Sequence, residues 1–209
     1  MKKNPSASLR LRTSALKTEN FAGLILAGGE GRRWGGPKAW AKLPEGTTFL
    51  EACAGILCEA GARWVVATIP YGADDPRIEG LTVVPLPASG LDMFASIKAG
   101  LDRLTDLPDW EKAALIPVDH PLVRVSSIKN LVGASAPAAI PSYHGKHGHP
   151  ICVTRSVVQN IVGGELVGPT LREVLRSVDS VDVPVEDIGV ISNCNTPEAL
   201  SEALKSCHP

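Results

Sequence analysis

No run in the 209-residue sequence approaches the ~18 consecutive apolar residues of a membrane span, so a membrane-spanning protein is not expected. An excess of charge of one sign is missing too. The 21 Lys and Arg face 22 Asp and Glu, a formal net charge of −1. That balance argues against a general nucleic-acid or membrane-surface binder, and any anion held here is held by local geometry. The five cysteines, Cys53, Cys58, Cys152, Cys194 and Cys207, contain no CxxC and are odd in number. They read as reduced thiols of a cytoplasmic protein, not as a disulfide framework or a zinc site. Internal repeats and low-complexity linkers are absent. The hydrophobic fraction of 44% suits one domain with a substantial core, expected over residues 21–209. Residues 1–20 are basic, polar and nearly free of acids. They lack the apolar centre of a secretion signal and read as a mobile tail, with a transit peptide as the alternative.

Apolar runs alternate with helical patterns. FAGLILA (21–27), RWVVATI (63–69), LTVVPL (81–86) and KAALIPV (112–118) read as strands, and PAAIP (137–141) and PICV (150–153) as strands around a His/Gly-rich turn. Residues 48–60 read as a helix opened by a Thr48/Glu51 capping box and stopped by Gly61. Residues 91–104 carry Phe94, Ile97, Leu101 and Leu104 at helical spacing. Thr170 and Glu173 predict a further helix start, and Pro197 sits at the first turn of a last helix. Such alternation predicts an α/β fold with a mostly parallel sheet covered on both faces. Ligands of such sheets bind outside the carboxyl ends of the strands.

At one such end stands LAGGEGRRWGGPKAW (26–40), with five glycines, Arg32, Arg33 and a Pro37-Lys38 step. Glycine allows positive φ and close backbone approach, so successive N–H groups can converge on phosphate oxygens. The cations suit a polyphosphate. The loop is neither a P-loop, because Pro37 separates Gly36 from Lys38 and Ala39 follows, nor GxGxxG, because position 34 is Trp. Asp119 ends a strand, where a hard carboxylate suits Mg²⁺. His144, His147 and His149 lie within six residues, but Gly145 and Gly148 favour a turn over a zinc site. Trp34 and Trp40 are expected to pack locally rather than stack on a base.

LAGGEGRRWGGPKAWAKL (26–43) resembles the signature loop of the MobA-like nucleotidyltransferases, which include molybdopterin guanylyl- and cytidylyltransferases. Trp34 stands where that family has Met. SGLDMFASIKAGL (89–101), IPVDHPLV (116–123), IPSYHGKHGHPIC (140–152) and NCNTPEAL (193–200) are similar to four further family segments, in the same order. The resemblance spans about residues 21–206 and implies a three-layer Rossmann-like nucleotidyltransferase fold. The implied reaction is Mg²⁺-dependent attack of an acceptor phosphate on the α-phosphorus of an NTP, with release of pyrophosphate.

The resemblance assigns Lys38 as an exposed cation beside the phosphates, Arg33 to the leaving pyrophosphate and Asp119 with Asn195 to the metal. Leu26, Ala27, Gly28, Gly29, Gly31, Arg32 and Ser96 are implied to meet the nucleotide, and Gly148, His149, Asn193 and Asn195 the acceptor. LAGG and Asn-x-Asn match the guanylyl branch, whereas GHP and FASIKAGL match the cytidylyl branch, so GTP and CTP both stay open. Molybdopterin is the first acceptor. A sugar phosphate, or a non-catalytic nucleotide- or cofactor-binding role, is the alternative, and a molybdoenzyme partner or a homodimer stays open.

Overall fold

The computed structural model describes residues 20–207, and of Arg32 only the backbone. The expected basic tail therefore lies outside the described residues except for Asn20. The order begins with strand β1 (Phe21–Leu26), whose alternate residues serve two cores. Phe21 and Ile25 join one apolar cluster, while Ala22 and Leu24 join another on the opposite face. β1 is flanked in parallel by β2 (Trp64–Ile69) and β4 (Lys112–Pro117), so that Ile25 stands beside both Ala67 and Ile116. β3 (Leu81–Pro85) extends the sheet beyond β2, also in parallel.

Beyond β4 the sheet changes direction. β7 (Ile151–Thr154) runs antiparallel between β4 and β5 (Ala138–Tyr143). The two-residue β6 (Lys146–His147) turns back on β5, and β8 (Ser180–Pro184) pairs with β5 in parallel. The order is β3-β2-β1-β4-β7-β5-β6, with β8 beside β5.

Helices cover both faces. α1 (Phe49–Ala60), α3 (Val125–Val132) and α6 (Pro197–Cys207) supply Leu57, Ile128 and Leu200 to the Phe21/Ile25 core. α2 (Met93–Thr105), α4 (Arg155–Gly163) and α5 (Leu171–Leu175) supply Leu101, Val158 and Val174 to the other. Helix and sheet approach closely because Gly23 and Gly100 carry no side chain. A Cβ at Gly23 would stand 2.6 Å from Leu57, and one at Gly100 2.6 Å from Leu24. The three layers and mostly parallel sheet are those expected from the alternation.

Local chemistry explains several boundaries. The Thr48/Glu51 capping box forms, with the Thr48 N–H donating to the Glu51 carboxylate (2.7 Å) and the Glu51 N–H to Thr48 Oγ1 (3.2 Å). Such a cap stabilises by about 1 kcal/mol. α2 starts two residues later than its apolar spacing predicts, because the Asp92 carboxylate accepts from the Ala95 N–H and makes Asp92 the cap. Thr170 likewise caps α5. α3, α4 and β8 were not expected. α3 and α4 start without a side-chain cap, and β8 is a short edge strand with Val181 exposed. Cys53 and Cys58 on α1 are both buried, as are Cys152 and Cys194, while Cys207 is half-buried. No described helix is long and apolar enough to cross a membrane.

Candidate active site

The loop after β1 is shaped by its glycines. Gly31 has φ +61°, and a Cβ there would lie 2.0 Å from the Gly36 carbonyl oxygen, so no other residue fits without moving the backbone. The Gly31 carbonyl accepts from the Trp34 N–H (2.8 Å) and closes the 3-10 turn Arg32–Trp34. A second such turn, Lys38–Trp40, follows Pro37 and aims Lys38 back at the sheet. Trp34 is held by an edge-to-face contact with Phe49 (5.4 Å) and by its Nε1–H donating to the Cys194 carbonyl (3.0 Å). Trp40 packs against the same core. Both tryptophans serve the local packing expected of them.

Lys38 joins three distant segments. Its ammonium donates to Asp119 Oδ2 (2.5 Å), just past β4, and to Asn195 Oδ1 (2.6 Å), just before α6. Its side chain is only 19% exposed, so the expectation of an exposed lysine is corrected: the two oxygens draw it inward. Those oxygens converge on one cation. A carboxylate with an amide carbonyl is a hard donor set, which suits an Mg²⁺- or Mn²⁺-type ion that keeps most of its shell for phosphate and water. Asn193 is exposed and does not line the cleft; its carbonyl accepts from the Asn195 N–H (2.9 Å), so of the Asn pair Asn195 alone turns its side chain to Lys38.

A cleft of about 470 Å³ opens at this place. Its polar lining includes Gly28, Gly29, Glu30, Gly31, Arg33, Lys38 and Asn195. Pro70, Tyr71, Leu86 and Leu91 form an apolar side. Leu26 and Ala27 stay in the strand end, where the Ala27 N–H donates to Thr68. Ser96 is buried and donates to the Asp92 carbonyl (3.0 Å), behind Gly28. Tyr71 and Leu91 were not anticipated. They are exposed apolar residues in connecting segments, where no periodicity marks them.

The Gly148-His149-Pro150 turn comes near Asp119 through the next residue, His120. The His149 ring stacks edge-on against His120 (5.1 Å). Burial depresses the His149 pKa to about 4, with the neighbouring His120 next in weight. Burial also lowers the His120 pKa, against the pull of Asp119. His149 Nδ1 is buried without a hydrogen-bond partner. His144 is exposed at the β5–β6 turn with φ +47°, and His147 pairs with Asp182 (2.9 Å). The three histidines therefore diverge, and no described group of three His, Cys, Asp or Glu could hold a metal. His120 was missed because a single histidine after an aspartate carries no spacing signal.

Comparison with known proteins sets this geometry in context. The pattern of the MobA-like NTP transferase domain matches residues 23–187. The molybdenum cofactor guanylyltransferase of Rhodobacter capsulatus is 32% identical over 188 residues, covering 88% of this chain and 94% of that protein. A solved protein from Mycobacterium sp. strain JC1, a homologue of a Mycobacterium tuberculosis protein, superimposes with a TM-score of 0.70 at 27% identity, over 90% of this chain and 96% of that one. A Mycobacterium tuberculosis protein solved in complex with manganese shares the fold, with a TM-score of 0.69 at 20% identity over 90% and 99% of the two chains.

Proposed function

The chain belongs to the MobA-like NTP transferase family and is a nucleotidyltransferase, and from that premise we propose that it transfers GMP from GTP to molybdopterin. The observation that carries this reading is the convergence of Lys38, Asp119 and Asn195 beside a glycine-walled cleft that Lys38 and Asn195 line. An oxygen of the acceptor phosphate attacks the α-phosphorus. The bond from that phosphorus to the bridging oxygen breaks, and pyrophosphate departs. Charge spreads over the phosphoryl oxygens and the leaving group, so positioning and positive charge supply the catalysis.

Each side chain has a task in that scheme. Gly28, Gly29 and Gly31 let the backbone approach the phosphates, with the Leu26-Ala27 strand end fixing where the loop starts. Lys38 turns its ammonium to phosphate oxygens laid along the loop, and Arg33, exposed on the same side, meets the leaving pyrophosphate. Arg32, whose side chain lies outside the described atoms, keeps its expected role toward the nucleotide. Ser96 supports the nucleotide from behind Gly28. The apolar side, Tyr71 foremost, receives the base and ribose. Asp119 and Asn195 hold a divalent ion, Mg²⁺ or Mn²⁺, which supplies charge to the phosphoryl oxygens when bound. Gly148, His149 and Asn193 lie on the acceptor side, where neutral His149 offers a hydrogen bond without a competing charge.

GTP is preferred over CTP because the relative from Rhodobacter capsulatus is named a guanylyltransferase. Pyrophosphate release with GTP, CTP, UTP and ATP, with and without Mg²⁺ or Mn²⁺, tests the reading. Molybdopterin and several sugar 1-phosphates serve as acceptors. Release with GTP and molybdopterin alone is expected. Turnover only with a sugar 1-phosphate would overturn the acceptor, and turnover with CTP the base. Silence throughout, with GTP still raising Tm, would support a non-catalytic binder.

A further inference from the structure

Asp187 is 2% exposed and lies outside every motif, yet it has three donors. Its Oδ2 accepts from the Arg124 N–H (2.8 Å) and from Ser127 Oγ (2.7 Å), at the start of α3. Its Oδ1 accepts from the Gly189 N–H (2.9 Å) and shapes the 3-10 turn Ile188–Val190. A buried carboxylate is tolerated only when its oxygens are met in this way. The turn it shapes reaches both sides of the site. The Val190 carbonyl accepts from the His149 N–H (2.8 Å), and the Gly189 carbonyl lies 3.4 Å from His120 Nδ1.

This contact has no slack. A Cβ at Gly189 would stand 2.4 Å from the Leu122 carbonyl oxygen, and one at Gly148 2.1 Å from that of Val190. The turn is therefore wedged between the segment after Asp119 and the Gly148-His149-Pro150 turn. The chain runs on through Ser192, whose Oγ donates to the Ile188 carbonyl (2.8 Å), to Cys194, whose N–H donates to the Asp119 carbonyl (2.8 Å).

We infer that Asp187 is a positioning residue: through the Ile188–Val190 turn it sets the place of His149, and with it acceptor binding, relative to Asp119. This rests on the proposed nucleotidyl transfer. It makes Asp187 act on the acceptor rather than on the nucleotide, since the turn it shapes bonds His149 directly, whereas Lys38 lies further off, behind Asp119 and Asn195.

Asp187→Asn replaces one acceptor oxygen by an N–H₂ group, which cannot satisfy all three donors. Ser127→Ala removes one donor and leaves two. Steady-state turnover with GTP and molybdopterin, and calorimetric binding of GTP with Mg²⁺ but no acceptor, separate the two sides of the site. In Asp187→Asn the acceptor KM is expected to rise about tenfold, with the GTP Kd within about twofold of wild type. Ser127→Ala should move the acceptor KM the same way by about threefold, and it decides the matter if Asp187→Asn does not fold. Unchanged acceptor KM in the folded variants, or a lower kcat alone from a smaller active fraction, would overturn the inference. Wild-type protein inactive with these substrates would overturn the reading beneath it instead.

Discussion

The glycine loop and the histidine side meet at Asp119 and are built by opposite means. The loop, residues 28–38, is backbone freed of side chains, with cations at its edge and a cleft in front of it. The histidine side, residues 120, 148–150 and 187–190, is backbone packed to contact, with neutral rings and a carboxylate satisfied by three donors. In the proposed reaction the first would close on a charged ligand and the second would hold its ligand by packing. A reaction between two anionic substrates needs both: one side to neutralise a polyphosphate, and another to hold an attacking phosphate still without adding charge that would trap it.

The largest effect should come from the residue that joins the two sides. Lys38→Ala is expected to lower kcat about a thousandfold, with circular dichroism showing a retained fold. Full activity would place the phosphates elsewhere. Asp119→Asn should lower kcat about a hundredfold and abolish the response to added Mg²⁺ or Mn²⁺, read by titrating the metal at saturating GTP. An unchanged metal response would separate Asp119 from the ion.

The histidine side makes a prediction about acid. His149 has a folded pKa near 4, below its unfolded value near 6.5, so between those values the unfolded chain binds more protons. Its neutrality therefore costs stability as pH falls from about 6.5 toward 4. Denaturant unfolding should show wild type losing roughly 2 kcal/mol more than His149→Gln between pH 7 and pH 4.5. Equal losses would mean that the ring is already charged, or free to leave its place. On the loop side the smallest effect is expected: Tyr71→Ala should weaken GTP binding about fivefold, measured by calorimetry, with kcat little changed.

Legibility in the sequence followed this same division. The loop is contiguous, so its glycines and the Pro37-Lys38 step marked a candidate phosphate loop from neighbours alone and Asp119 a candidate carboxylate from its place at a strand end, while the role of Arg33 came from the family resemblance. The Thr48/Glu51 box was legible for the same reason. His120 and His149 are 29 positions apart, and what joins them is a turn near residue 189 that neither segment announces. Asp187 follows an acidic glutamate near an edge strand, where an aspartate ordinarily faces water. The burial of Lys38 was misjudged because its two oxygen partners come from 81 and 157 residues away.

The buried cysteines have a consequence of their own. Cys53 and Cys58 ride on α1, Cys152 on β7 and Cys194 in the segment that closes on Lys38, and all four are shielded. Burial pushes the Cys58 thiol to about 11 and that of Cys194 to about 12, and raises Cys53 further, so even a brief encounter with reagent finds little thiolate. A thiol-specific label therefore marks time. The folded chain offers Cys207 first, while each further label records the opening of one named part of the molecule. If α1 lifts away as a unit, two labels arrive together; if only the closing segment opens, one arrives alone. The chain thus carries four internal clocks, one of them, Cys194, set beside the Lys38–Asp119 pair.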